Sequence, residues 1–210
     1  MGAAAAIVLC TAPMATADPF GTQGYVAGSE SFLLSIGGNV SAGGFAGTWN
    51  GQAITFWCIE LTQYFGFGNT YTDYLADVAV MPLLARLFNE AYGMATVDAA
   101  HSAAFQLAIC EIVYDPGNLD LAPGAGVFSV LSGNPGTVSI AQGWLGNLGN
   151  FPGTYDLVLL RSPEHQDFVT FGVPFASLLR VPEPAPLALL VMSFLAMFVV
   201  LRRHPKMAVA

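Results

Sequence analysis

Between Ala185 and Leu201 the chain runs seventeen residues without a charge. Both flanks are abrupt: Val181-Pro182-Glu183-Pro184 stands before the run, and Arg202-Arg203-His204 and Lys206 stand after it. A helix of that length lies at the lower edge of what covers a hydrocarbon core about 30 Å thick. A buried core helix would leave the basic cluster unexplained. Arg202, Arg203 and Lys206 are half of all the cations in the chain, and Lys and Arg beside a membrane helix stay on the cytoplasmic side. The expectation is one C-terminal transmembrane helix over 185–201, with the C-terminus inside and everything before Pro182 outside.

The other end agrees. Ala3 to Leu9 is a short apolar run, too short to span, and Ala15-Thr16-Ala17 before Asp18 places small residues as a signal-peptide cleavage site requires. No Lys or Arg precedes the run, which points to a start codon placed too late. Residues 1–17 are expected to be a signal peptide and 18–180 an extracytoplasmic body.

In its order and spacing, the tail over 181–210 resembles the PEP-CTERM sorting signal: Val181-Pro182-Glu183-Pro184, then the apolar helix, then the Arg-rich end. The resemblance implies an exosortase-type transpeptidase as partner, acting near Pro182 to Pro184 in a Gram-negative bacterium that makes exopolysaccharide. It implies export across the inner membrane and transient anchoring there. The body then goes to the cell surface or the extracellular matrix, with a role in adhesion or in biofilm or floc structure.

The body has the size of one domain. Only Arg86, Arg161 and Arg180 oppose thirteen acidic residues between Asp18 and Asp167, which leaves it near minus ten. That charge argues against nucleic acid and anionic membrane surfaces as partners.

Ser31 to Ile36 and Ala53 to Leu61 read as strands, with turns at Gly37-Gly38-Asn39, Gly43-Gly44 and the hairpin dipeptide Asn50-Gly51. After Asp73 the period becomes helical. Leu83, Leu84, Leu87, Phe88 and Ala91 predict a helix with Pro82 in its first turn and Gly93 as C-cap. A second helix, capped by Thr96 and favoured by Asp98 near its positive end, carries a buried stripe of Phe105, Ala108, Ile109 and Ile112 until Asp115-Pro116-Gly117 stops it. Ser139 to Leu148 is a weaker third helix, and Tyr155 to Leu160 and Gln166 to Phe171 return to strand. The expected fold is α+β: an antiparallel β-rich domain with two to three helices, followed by the single transmembrane helix.

Cys10 leaves with the signal peptide, so the mature body holds Cys58 on a strand and Cys110 on the second helix. In an oxidising space two cysteines suggest a disulfide. Gln106 opens an alternative. Ser102, Gln106 and Cys110 share one helix face, so a strand that brings Cys58 to Cys110 brings it to Gln106 as well. A thiolate that attacks the glutamine carboxamide expels ammonia and leaves an internal thioester, an electrophile for an amine or hydroxyl on a target.

Phe56-Trp57-Cys58-Ile59-Glu60, followed by Ala104-Phe105-Gln106-Leu107-Ala108-Ile109, resembles the thioester domains of bacterial surface adhesins over roughly Thr55 to Asp115. The resemblance implies a Cys58–Gln106 thioester and covalent attachment to a polysaccharide or protein target. In that family tryptophan usually stands at the position of Cys110, so this chain departs there, and a thiol one turn from the glutamine offers Cys58 a second partner.

If Glu60 shares the strand with Cys58, its carboxylate raises the thiol pKa and offers a base. Glu111 and Asp115, four apart, read as a solvated acidic face. His101 and His165 form no recognised metal spacing with a cysteine, and neither a metal nor a cofactor is expected. A Cys-His hydrolase built from Cys58 or Cys110 with His101 is the outsider, without an oxyanion motif. Gly66-Phe67-Gly68 reads as a turn rather than a phosphate loop. Tyr71, Tyr74, Trp49 and Trp57 read as core rather than as a glycan-stacking face. The expectation is a noncatalytic exported module, either covalent through Cys58 and Gln106 or noncovalent and stapled by Cys58 and Cys110.

Overall fold

The computed structural model describes residues 18–172. The expected signal peptide (1–17), the Val181–Pro184 motif, the segment 185–201 expected to be a transmembrane helix, and Arg202, Arg203 and Lys206 lie outside the described residues. Among the described residues no helix is long and apolar enough to cross a membrane.

The body is α+β. Ten strands and three α-helices follow one another as β1 (Phe20–Tyr25), β2 (Glu30–Leu34), β3 (Gly38–Ala42), β4 (Phe45–Trp49), β5 (Gln52–Cys58), β6 (Thr70–Tyr71), β7 (Leu75–Ala79), α1 (Pro82–Ala95), α2 (Ala99–Tyr114), β8 (Val130–Ser132), α3 (Pro135–Asn147), β9 (Leu157–Arg161) and β10 (Phe168–Phe171). Seven strands form one antiparallel sheet in the order β6-β1-β4-β5-β10-β9-β7, and β3-β2-β8 form a second.

The hairpin β4–β5 is closed by Asn50 and Gly51, with Trp49 opposite Gln52. Both turn residues have positive φ, 49° and 78°, the backbone that matches the strand twist and that Asn-Gly adopts at least cost. Alternation along β5 then divides the core. Phe56 and Cys58 face an aromatic cluster with Phe20, Phe45, Tyr74 and Phe168, while Trp57 faces the helices and meets Phe88 and Phe105 edge-on at 5.6 and 5.0 Å.

The strands of this sheet approach closely where glycine permits. A Cβ on Gly47 would collide with the Gly21 carbonyl oxygen on β1 and stand 2.8 Å from Phe56 Cε1. Gly47→Ala is therefore expected to lower stability by about 1–3 kcal/mol, read as a fall in the denaturation midpoint. An unchanged midpoint would mean that the two strands separate freely.

Helix α2 departs from the expected one-sided stripe. Every residue from Ser102 to Ile112 is buried, because α1, α3, β5 and the small sheet pack around it; a helix apolar on all sides belongs in a core. Its N-cap is Asp98, whose carboxylate accepts the His101 N–H at 2.8 Å, and not Thr96. Gly93 is not a C-cap: α1 runs through it to Ala95, held by tertiary packing. The third helix begins earlier than expected, at Pro135 behind the Asn134 cap.

Candidate functional site

The site forms where β4 and β5 part. Phe45 pairs with Phe56, and the same register would set Gly43 opposite Cys58. The chain turns away first. Gly44 gives its carbonyl to Val26 N–H at 2.9 Å, and its own N–H donates to Ser102 Oγ on α2 at 2.8 Å. Ile59 N–H donates to Asp167 O toward β10. Main-chain groups alternate sides along an antiparallel strand, so the N–H and C=O of Cys58 face the gap.

Gln106 fills that gap. Cys58 N–H donates to Gln106 Oε1 at 3.0 Å, and Gln106 Nε2 donates to Cys58 O at 2.8 Å. The carboxamide thus completes the ladder as a peptide group would. One turn further, Nε2 also donates to Cys110 Sγ at 3.2 Å. Ser102, Gln106 and Cys110, spaced by four, are all buried and run along the opening between the strands.

Both cysteines are free thiols and buried. Burial pushes the Cys58 thiol well above its usual range, and neighbouring Cys110 and Glu60 add to that. Burial likewise pushes Cys110 up to about 12, opposed by the Gln106 hydrogen bond. Glu60 lies beyond the strand end, and its carboxylate is taken up by Thr62 N–H, Thr62 Oγ1 and Gln63 N–H. It raises the thiol pKa as expected, but those three donors occupy the oxygens a base would use.

A cavity of about 290 Å³ is lined by Cys58, Gln106 and Cys110, and no charged side chain lines it. Tyr25, Phe65 and Phe67 line it too, as does Tyr64, which is 83 % exposed. The loop that carries Tyr64, Phe65 and Phe67 is pinned at several points. Leu61 N–H donates to Tyr114 Oη at 2.8 Å, Gly68 N–H to Thr22 O at 2.8 Å, and Thr22 Oγ1 to Gly66 O at 2.6 Å. Tyr64 is therefore presented to solvent by an ordered loop.

The other sequence candidates fall elsewhere. His101 binds Asp98 through Nδ1 at 2.9 Å, and His165 binds Asp73 at 2.9 Å; neither lines the cavity. Ser162 joins the second pair, but its hydroxyl donates to Asp73 and accepts the main-chain N–H of Glu164 and His165, which makes it a loop staple. Trp49, Trp57 and Tyr74 are core. Among the described residues no three His, Cys, Asp or Glu side chains stand close enough to share a metal ion.

Glu111 overturns the expectation of a solvated acidic face. It is fully buried with neither carboxylate oxygen hydrogen-bonded. Burial, reinforced by the charges of Asp115 and Asp120, raises its pKa to about 7.

Three features escaped the sequence: the Cys58 N–H as a donor to the glutamine carbonyl, the exposed Tyr64 at the cavity, and the burial of Glu111. Only the last had a signal, since Glu111 is the one charge between Ala103 and Val113, a run with no polar face. Comparison with protein-family models, curated proteins and solved structures gives no match.

Proposed function

We propose that the body is an extracytoplasmic attachment module that forms a Cys58–Gln106 thioester and spends it once on an amine or hydroxyl of a target. The observation that carries this is the hold on the Gln106 carboxamide. Its carbonyl oxygen accepts a hydrogen bond from the Cys58 N–H, and its nitrogen is held by Cys58 O and Cys110 Sγ. As Cys58 Sγ bonds to Gln106 Cδ, negative charge gathers on Oε1, where a main-chain N–H already points. The C–N bond then breaks and ammonia leaves with the thiol proton. Later attack by the target nucleophile on the thioester carbonyl returns Cys58 as a thiol. Thiols held protonated by burial react slowly, which suits a step taken once per chain rather than turnover.

Export, exosortase processing at Val181–Pro184, passage through the inner membrane and a place in surface adhesion or biofilm structure belong to the same proposal. They rest on the two end segments of the sequence. The test for the module is a fluorescent primary amine. The wild-type body is expected to be labelled covalently, whereas Cys58→Ser and Gln106→Ala are not; labelling that persists in Gln106→Ala removes the proposal.

A second reading has its own support. Both cysteines line one cavity, and Cys110 is near enough to raise the Cys58 pKa, so a Cys58–Cys110 disulfide would leave a noncovalent binding module. Under either reading a target meets Tyr64 and Phe67 before the cysteines. Tyr64→Ala with Phe67→Ala is expected to reduce target binding about tenfold while leaving methylamine uptake unchanged. Equal loss of both would assign the rings to the fold instead.

A further inference from the structure

We propose that Cys110 is the proton donor to the departing nitrogen when the thioester forms; the inference rests on the Cys58–Gln106 reading above. Cys110 Sγ lies 3.2 Å from Gln106 Nε2, the atom that must leave as ammonia. In the resting carboxamide that nitrogen donates and the sulfur accepts. Once Cys58 Sγ has added to Cδ, the nitrogen becomes tetrahedral and gains a lone pair, and the same contact runs in reverse with the S–H as donor.

Of the two groups that Gln106 Nε2 hydrogen-bonds, Cys110 Sγ is the one with a proton to give. Cys58 O, the second partner of Nε2, has no proton to give. No charged side chain lines the cavity, and the Glu60 carboxylate is occupied by Thr62 and Gln63. The Tyr25 hydroxyl donates to Ser41 O, and the amides of Gln63 and Gln166 donate to Pro163 O and Glu60 O. Neither His101 nor His165 lines the cavity. Cys110, held as a thiol by burial, carries its proton at ordinary pH.

The step balances without an oxidant. The Cys58 S–C bond forms and its thiol proton is released; the Gln106 C–N bond breaks and nitrogen takes a proton from Cys110. The released proton restores Cys110. The net change is thiol plus carboxamide to thioester plus ammonia. The four-residue spacing on α2 fixes Cys110 beside Nε2 whatever the target is.

The test is a refolding time course of residues 18–172 within the full chain, in phosphine reductant and amine-free buffer, followed by intact mass. Wild type is expected to lose one ammonia. Cys110→Ala is expected to lose it about 100-fold more slowly, and Cys110→Ser, which retains a hydroxyl donor, to recover much of the rate. Near-ultraviolet circular dichroism checks that each variant is packed. Ammonia loss at the wild-type rate in Cys110→Ala would make Cys110 a bystander and overturn this inference alone. Equal slowing in the alanine and serine variants would also overturn it, because packing and not proton supply would then be the cause. No ammonia loss in wild type would overturn the thioester reading itself.

Discussion

In a Cys58→Ser background, where no thioester can form, adding Gln106→Ala is expected to lower stability by about 2–4 kcal/mol. The change deletes the group that satisfies Cys58 N–H and C=O in a gap that β4 has left. Each buried main-chain group stranded without a partner costs about 1–3 kcal/mol. Gln106 is 5 % exposed and Cys58 is 5 % exposed, so water has little access to replace it. Urea denaturation reads the effect as a lower midpoint at unchanged slope. A loss under about 0.5 kcal/mol would show that β4 or water closes the gap. The serine background matters because it separates the structural hold of the carboxamide from the loss of a covalent crosslink.

The second large effect is one of pH. Glu111 titrates near 7 in the folded protein, against about 4.3 for a free glutamate. Its folded pKa is raised, so between those values the folded state holds a proton that the unfolded state has given up. Stability must therefore fall as pH rises through that window, and level off above about 7. The difference amounts to roughly 3–4 kcal/mol at about 1.36 kcal/mol per pH unit. Glu111→Gln removes the titration while keeping the shape. The variant is expected to gain on wild type steadily from about pH 4.5 to 7 and to hold a constant advantage above that. Parallel stability curves across the window would mean that Glu111 finds a partner when charged. Asp73 works in the opposite direction, since its hydrogen bonds with Ser162 and His165 outweigh its desolvation and lower its pKa; the comparison of wild type with the variant cancels it.

What the sequence made legible was local. Asn50-Gly51 announced its hairpin because few dipeptides accept two positive φ angles, and the heptad-like spacing of Leu84, Leu87, Phe88 and Ala91 announced α1. Helix ends were harder. Gly93 looked like a stop and Thr96 like a start, yet the packing of Ala91 and Ala95 carries α1 through the glycine, and Asp98 outcompetes the threonine as cap. The short strands β6 and β8 have no pattern of their own, being two and three residues long and fixed by their partners.

The site divides in the same way. Helical spacing alone grouped Ser102, Gln106 and Cys110, and the structure brings that face to Cys58. How they meet could not be read, because it depends on where β4 leaves β5, a matter of main-chain direction at Gly43-Gly44. The expected contact of Gln106 was with the Cys58 thiol; the observed hydrogen bonds are with the Cys58 main chain, whose N–H points at the carboxamide oxygen. Glu111 was misjudged because an acidic i, i+4 pair ordinarily marks a wet face, and only the uniformly apolar surroundings of α2 say otherwise.

The central claim is that Gln106 carries an electrophilic carbon for Cys58, and intact mass of the body tests it most directly, measured without reductant before and after methylamine. The account predicts a mass low by one ammonia that rises by one methylamine. A mass low by two hydrogens, indifferent to methylamine and restored by reductant, would contradict it and establish the Cys58–Cys110 disulfide instead.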